Sequence, residues 1–234
     1  MPEAYASALR RLEAAGDEPR DLSVYFVEIF PVTGASVSTV GDFLGSETVS
    51  ASDARAARLD ELQFDLGEGP CWDAMRLQRP VLEPDIAERP QHIWPAFSPA
   101  VREHEVRSMF AFPLFVGSLR IGAIDMYSLQ PVELQRGQAE QAAEMAKIVS
   151  RHVLRNALAS IDVEAHPVSP YSRRLIHQAT GKVLAQLELS ADDARLVIQG
   201  HAFSSGRSMK DVAEDILEGR LTFALRETGI EVAP

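Results

Sequence analysis

The sequence predicts an α+β protein, with a helix-covered antiparallel sheet, a long connecting helix, and an all-α bundle of three helices. Three observations predict it. Short period-two segments cluster in residues 35–131, and two of them flank Gly117-Ser118, a pair suited to a tight hairpin. One helical pattern runs over 132–161. Beyond a proline-bearing stretch at 161–170 the pattern is helical only, with two starts of the capping-box kind.

The elements follow in order. Ala4, Ala8, Leu12 and Ala15 recur at helical spacing, with Gly16 as a stop. Asp21 is placed to cap a second helix that ends at Phe30, before Pro31. Segments 36–40 and 47–51 alternate as strands, and 52–64 return to helical spacing through Ala54, Leu59, Leu62 and Phe64. Gly67-Glu68-Gly69-Pro70 breaks the chain, and Pro70 suits the first position of a helix through Arg76, where no N–H is required. A strand is expected at 81–84, a helix at 95–104, and the hairpin at 109–116 and 119–127.

In the long helix, Ala142, Met145, Val149, Val153, Leu154, Leu158 and Ile161 recur every three or four residues. Its length exceeds what covers a small sheet. Two readings stay open, a helix-pair seam between two chains or packing on its own domain. The tail contains no convincing strand. Its helices start at Ser169-Pro170, Ser190 and Ser208, with Asp193 and Asp211 three residues after the last two. The expected domains are N-terminal helices (1–34), a sensor-like sheet domain (35–131), a connecting helix and linker (132–165) and a three-helix domain (166–234).

Composition narrows the function. The 234 residues are 46% hydrophobic and 24% charged, which is ordinary for a globular chain. No apolar run is long enough to span a membrane, and the N-terminus lacks a signal-peptide pattern, so a soluble cytoplasmic protein is expected. The net charge of −11 is a poor footprint for unaided, non-specific nucleic-acid binding. Nearly all the acidity lies before residue 166, with 15 basic and 25 acidic residues there against 8 and 9 after it. The only lysines are Lys147, Lys182 and Lys210, which leaves the first part without a phosphate-loop or Schiff-base lysine.

Candidate chemistry is sparse. A single cysteine, Cys71, excludes an internal disulfide framework. It lies in a predicted first helical turn, where a thiol can be activated, and packing beside Trp72 is the alternative. No histidine pair has metal-binding helical spacing, so no metal is expected. Asp192-Asp193 and Glu214-Asp215 read as solvated helix faces. Asp85 ends a strand as a phospho-acceptor would, but no lysine or upstream acidic pair accompanies it. A pocket remains, with Cys71, Trp72, Phe110, Phe112 and Tyr127 as lining and Asp125 as a polar handle; plain core aromatics are the alternative.

Two stretches resemble known families. Residues 35–161 resemble a GAF domain of the type fused to an ANTAR domain, through Leu62-Gln63-Phe64-Asp65-Leu66-Gly67-Glu68-Gly69-Pro70-Cys71, Pro80-Val81-Leu82-Glu83-Pro84-Asp85-Ile86, Ala111-Phe112-Pro113-Leu114 and Ile121-Gly122-Ala123-Ile124-Asp125. Residues 170–225 resemble the ANTAR domain itself, through Ile176-His177-Gln178-Ala179-Thr180-Gly181-Lys182-Val183, His201-Ala202-Phe203 and Asp211-Val212-Ala213-Glu214-Asp215-Ile216-Leu217. The resemblance implies a non-catalytic regulator. A GAF sensor would respond to a small-molecule or protein signal, and a three-helix domain would bind stem-loop RNA as a homodimer and prevent terminator formation. Arg173, Arg174, His177, Gln178, Thr180, Gly181 and Lys182 are the expected RNA contacts. The first domain lacks the Asn-Lys-Phe-Asp-Glu signature of cyclic-nucleotide GAF domains, and one cysteine is too few for a methionine sulfoxide reductase cycle. No cofactor is expected. The alternative is a protein-interaction adaptor that has a sensing domain and no RNA binding.

Overall fold

The computed structural model describes residues 2–15, 22–40, 44–90, 92–160, 173–226 and 229–233. The linker expected at 161–170, the stop at Gly16, the cap at Asp21 and the helix start at Ser169-Pro170 lie outside the described residues. The chain divides into two compact units, Met1–Tyr171 and Ser172–Pro234.

The first unit is built on an antiparallel sheet of five strands in the order β2-β1-β5-β4-β3. These are β1 (Gly34–Thr39), β2 (Glu47–Ala51), β3 (Val81–Glu83), β4 (Ser108–Val116) and β5 (Leu119–Ser128). The turn between β4 and β5 is Gly117-Ser118, and Gly117 takes φ +60°, as the first central position of a type II′ turn requires. β1 is buried along its whole length and β5 along most of it, because helices cover both faces. β1 keeps its alternation even so, with Ser36 and Ser38 buried on one face and Ala35 and Val37 on the other.

One face carries α1 (Pro2–Ala14), α2 (Val24–Ile29) and α6 (Arg136–Ser160). Leu12, Leu22, Phe26 and Phe30 share a core with Val37, Phe110, Phe112, Ile124 and Met126, so the N-terminal helices belong to the body of this unit. His152 on α6 bonds through Nε2 to the Leu12 carbonyl at 2.9 Å, and the Tyr5 hydroxyl donates to Glu144 at 2.7 Å. The other face carries α3 (Ala54–Leu66), α4 (Pro70–Leu77) and α5 (Phe97–Glu103) around Leu59, Trp94, Phe97, Met109 and Tyr127.

Helix α6 packs on its own unit through part of the predicted stripe. Its apolar positions Ala142, Met145, Val149 and Val153 are buried in the unit's own core, with Ala146 and Ile148 beside them. The exposed stripe is instead Glu140, Glu144, Lys147, Arg151 and Arg155. Ala142, Met145, Val149 and Val153 of the predicted stripe cover this sheet, whereas Leu158 further along it is 48% exposed.

In the second unit, α7 (Arg174–Leu187), α8 (Ala191–Ser205) and α9 (Met209–Glu218) bury Ile176, Ala179, Val183, Ala194, Ile198, Ala202, Val212 and Ile216. Ser190 accepts the Asp193 N–H at 3.1 Å, and Ser208 accepts the Asp211 N–H at 3.0 Å. Both helices therefore start as the sequence indicated; such caps are each worth about 1 kcal/mol.

The tail is not wholly helical. Strands β6 (Thr222–Arg226) and β7 (Gly229–Ala233) form an antiparallel hairpin after α9. Phe223, Leu225, Ile230 and Val232 lie on one of its faces by register. Only Phe223 is buried, edge-on to His201 with the ring centroids 5.6 Å apart. The period-two signal is present in Phe223/Leu225 and Ile230/Val232, but each run is too short to stand out beside three strong helices.

Candidate functional site

In the first unit the polar centre lies under α3 and α4. The inner stripe of α3 reads Ala56, Leu59, Asp60, Gln63, at the spacing of one helix face. All four are buried, so two polar side chains are carried into the core against the sheet. Gln63 is fully buried and acts as a hub. Its Nε2 donates to Asp125 Oδ2 at 3.0 Å, and its Oε1 accepts the Cys71 N–H at 2.8 Å. Its backbone carbonyl accepts Trp72 Nε1–H at 2.6 Å. Gly69, at φ +131°, lets the chain turn over this side chain, since a Cβ there would lie 2.6 Å from Gln63 Oε1.

Asp125 projects from β5 toward this hub. Burial pushes its carboxyl well above the usual carboxylate range, and the nearby Asp60 charge adds to the effect, against the lowering by the Gln63 bond. Asp60 is itself bonded by the Thr48 hydroxyl. The Tyr127 hydroxyl donates to Asp53 Oδ1 at 3.0 Å, and burial with that bond raises it to about 12. Asp53 also caps α3 through the N–H groups of Arg55 and Ala56.

The expected pocket residues therefore separate. Asp125, Cys71 and Trp72 meet at Gln63, and Tyr127 lies on the same face of β5, at the Asp53 cap. Phe110 and Phe112 do not join them. They point to the opposite face of β4, into the core with α1, α2 and α6, because side chains alternate along a strand and Met109 and Ala111 take the other side. Cys71 is only 2% exposed and packs with Met75 and Ala123. Asp85 is held by Arg107, which keeps its carboxyl below the usual range, and it accepts the Ala87 N–H at 3.0 Å. Among the described residues no group of His, Cys, Asp and Glu is placed to hold a metal ion.

Gln63, Asp60 and Thr48 are absent from the sequence-derived set. The signal for the first two was the spacing itself: a buried helix stripe with a carboxylate and an amide in it calls for a polar partner on the sheet.

In the second unit, Arg174, His177, Gln178 and Gly181 are exposed on α7 at spacings of three and four, which makes one outer face, continued by Ala185. Among the described residues nothing lies within 4 Å of the position of a Cβ on Gly181, so none of them requires a glycine there. The other three expected contacts turn elsewhere. Arg173 is buried at 6% exposure, at the N-cap of α7. The Thr180 hydroxyl donates to the Ile176 carbonyl at 2.8 Å. Lys182 Nζ donates to the Ile216 carbonyl at 2.6 Å and the Leu217 carbonyl at 3.4 Å, closing the C-terminal turn of α9. Asp215 is held by Arg207 and Arg220, which keep its carboxyl below the usual range.

The first unit is thus a five-stranded sheet covered by helices with a buried polar hub, and a second compact unit follows it in sequence. The GAF domain model matches residues 20–153 and the ANTAR domain model matches residues 171–217. The chain belongs to the GAF domain family and carries an ANTAR domain after the GAF domain.

No curated relative matches the chain by sequence. Among solved structures, it is similar to the GAF domain of a phosphoenolpyruvate-protein phosphotransferase from Coxiella burnetii at 14% identity and TM-score 0.53, over 68% of this chain and 95% of that one. The corresponding Acinetobacter domain gives 7% identity and TM-score 0.51, over 70% and 96%. The chromophore-binding domain of a bacteriophytochrome from R. palustris gives 12% identity and TM-score 0.52, over 68% of this chain and 61% of that one. At these identities the likeness concerns the fold alone. Among the described residues no helix is long and apolar enough to cross a membrane.

Proposed function

We propose that this chain is a signal-responsive transcription antitermination regulator. Its ANTAR domain binds stem-loop RNA, and a small-molecule signal in the GAF domain controls that binding. The observation that carries the reading is the succession of the two family matches on one chain.

Two features of the second unit fit RNA. The outer face of α7 offers a guanidinium, an imidazole and an amide, which suit phosphate and base edges in loops. Bare Gly181 lets a backbone approach the helix closely, and glycine inside a helix costs about 1 kcal/mol relative to alanine. The unit has near-neutral charge, so affinity depends on pairing two copies across two stem-loops as a homodimer. Helix α6 is the last described element before the ANTAR domain in sequence. A ligand that prefers one arrangement of α6 would bias the output.

The test is binding of the purified chain to a two-stem-loop RNA and to a scrambled control, at low and near-physiological salt. Selective, salt-sensitive binding that Arg174→Ala weakens is the expected result. Equal, weak binding to both RNAs, persisting when residues 166–234 are held as a forced dimer, overturns it.

One observation favours the adaptor reading. Leu196 and Phe203 on α8 and Leu225 on the hairpin are 53%, 65% and 69% exposed. Large exposed apolar side chains of this kind fit a protein partner. The same forced dimer separates the readings, because an adaptor would ignore RNA in either form.

A further inference from the structure

We propose that the outer face of α8 is the surface through which two copies of this chain pair, as two antiparallel helices that cross beside Gln199 and Gly200. The proposal rests on the reading of the ANTAR domain as an RNA-binding module that works as a homodimer, and names the surface that joins the copies.

The first observation is an aligned apolar stripe. Helix α8 buries Ala194, Ile198 and Ala202, and its opposite side carries Asp192, Leu196, Gly200 and Phe203. Leu196 and Phe203 are both more than half exposed and stand two turns apart on one line. Covering two large apolar side chains in line takes a long, narrow partner surface, and the apolar stripe of a second helix has that shape.

The second observation is Gly200, which lies between them. It is exposed, and among the described residues a Cβ at its position meets nothing within 4 Å. Glycine weakens the middle of a helix, and none of the described residues requires one here. A second helix crossing close to this backbone does require one, because a side chain at the crossing point would hold the two axes apart.

The third observation is that the face complements itself. Leu196 and Phe203 lie evenly on either side of the Gln199–Gly200 peptide bond, and so do Asp192 and Arg207. Asp192 is in the first turn of α8. Arg207 follows the last turn and is tied to it by its N–H on the Ala202 carbonyl at 3.0 Å. A two-fold axis across that bond sets Leu196 against Phe203 of the partner subunit, and Asp192 against Arg207 of the partner subunit, twice each. Arg207 also holds Asp215 at 2.7 Å in its own chain, and its side chain remains 41% exposed, open to a second acid. The ion pairs and the opposed helix dipoles favour this antiparallel arrangement. A parallel pair would bring like charges together at both ends.

The size of the face sets the strength. Helix α8 has 15 residues and is about 22 Å long. A pair of such helices buries less than the roughly 800 Å² per partner of a standard stable interface. The dimer is therefore weak by itself, and two stem-loops on one RNA would hold it together.

The experiment uses the full chain without RNA. Sedimentation equilibrium from micromolar to near-millimolar concentration is expected to show a reversible monomer–dimer equilibrium. Leu196→Glu and Phe203→Glu are each expected to weaken it about tenfold or more. Both side chains are exposed, so both variants should fold, and unchanged melting temperatures check that. Mild oxidation of introduced cysteines reads the direction of the pair, since Cys71 is buried. Leu196→Cys and Phe203→Cys chains mixed together should form a mixed disulfide dimer. Each variant alone would hold its thiols about 10 Å apart along the axis and should cross-link poorly.

A chain that stays monomeric across the range overturns the proposal and leaves this face to a different protein. A dimer that neither glutamate variant weakens is joined elsewhere and overturns it too. Cross-linking of each cysteine variant with itself as readily as in the mixture overturns the antiparallel geometry. A two-stem-loop RNA added afterwards separates the proposal from the reading it rests on. Dimers that bind this RNA no better than a scrambled one overturn the RNA reading and leave the surface standing. Selective binding that both glutamate variants retain at full strength overturns the surface and leaves the RNA reading standing.

Discussion

Gln63 on α3 and Asp125 on β5, 62 residues apart in sequence, meet in a 3.0 Å bond inside the core. The same amide accepts the Cys71 N–H at the start of α4, so a single side chain ties two helices to the central strand. Replacing it with leucine keeps the volume but removes the bonds it makes to the Cys71 N–H and to Asp125 Oδ2. Losing a buried hydrogen-bond partner costs about 1–3 kcal/mol for each group. Gln63→Leu should therefore lower unfolding stability by about 2–5 kcal/mol. Urea denaturation followed by circular dichroism checks it; a loss under 1 kcal/mol, roughly that of an ordinary surface change, would show that the hub is not structural.

Stability should also report the buried carboxyl of Asp125. Its folded-state pKa is raised well above 3.8, chiefly by burial. A group shifted in this direction contributes fully below its unfolded value and loses that contribution as pH rises through the folded value. Asp125→Asn imitates the protonated form and does not titrate. The stability of the parent chain relative to Asp125→Asn should therefore fall as pH is raised from 4. Denaturation midpoints of both proteins across the pH range give the difference directly. A difference that does not change with pH would mean that Asp125 is ionised in the folded chain at ordinary cost.

The fold was largely legible because its signals are local. Gly117-Ser118 between apolar runs, Pro70 after Gly69, and Ser190 and Ser208 three residues before an aspartate each mark a boundary through backbone chemistry. What was not legible depends on faces. Phe110 and Phe112 share a parity on β4, and parity alone does not say which side of the sheet holds a ligand. Both sides are covered, so burial gave no contrast. The apolar stripe of α6 raised the same difficulty, since a stripe that packs on a sheet and one that packs on a second chain have the same period. The role of Gln63 was hidden for another reason. Its partners lie 8 and 62 residues away, and only the tertiary fold brings them together.

Lys182 shows how a charged residue in a functional stretch can serve the scaffold. Its ammonium sits on the Ile216 and Leu217 carbonyls at the C-terminal turn of α9, where a cation also complements the helix dipole. Lys182→Met keeps most of the stem and removes the donors. It should destabilise the chain by about 1–2 kcal/mol. RNA affinity at a temperature where the variant is folded should stay within about twofold of the parent, well under 1 kcal/mol. A large loss of RNA binding without loss of stability would instead assign Lys182 to the interface.

Gly181 gives the opposite pattern, and the contrast between the two sites is the sharper test. It is exposed, a Cβ at its position meets nothing within 4 Å among the described residues, and Arg174, His177 and Gln178 flank it on the same face of α7. Any side chain there should leave the fold intact. Alanine should raise stability by up to about 1 kcal/mol, because it restricts the unfolded chain and favours the helix. Gly181→Glu adds bulk and a negative charge where an RNA backbone is proposed to approach. It should reduce RNA affinity by about tenfold or more, while the melting temperature holds or rises. Arg174→Ala should weaken binding to all RNA sequences alike and lower the salt slope by about 1. These outcomes are read by RNA titration at several salt concentrations alongside thermal unfolding. Unchanged affinity in Gly181→Glu would remove this face of α7 from the RNA contact and move the search to the exposed side of α8 around Phe203.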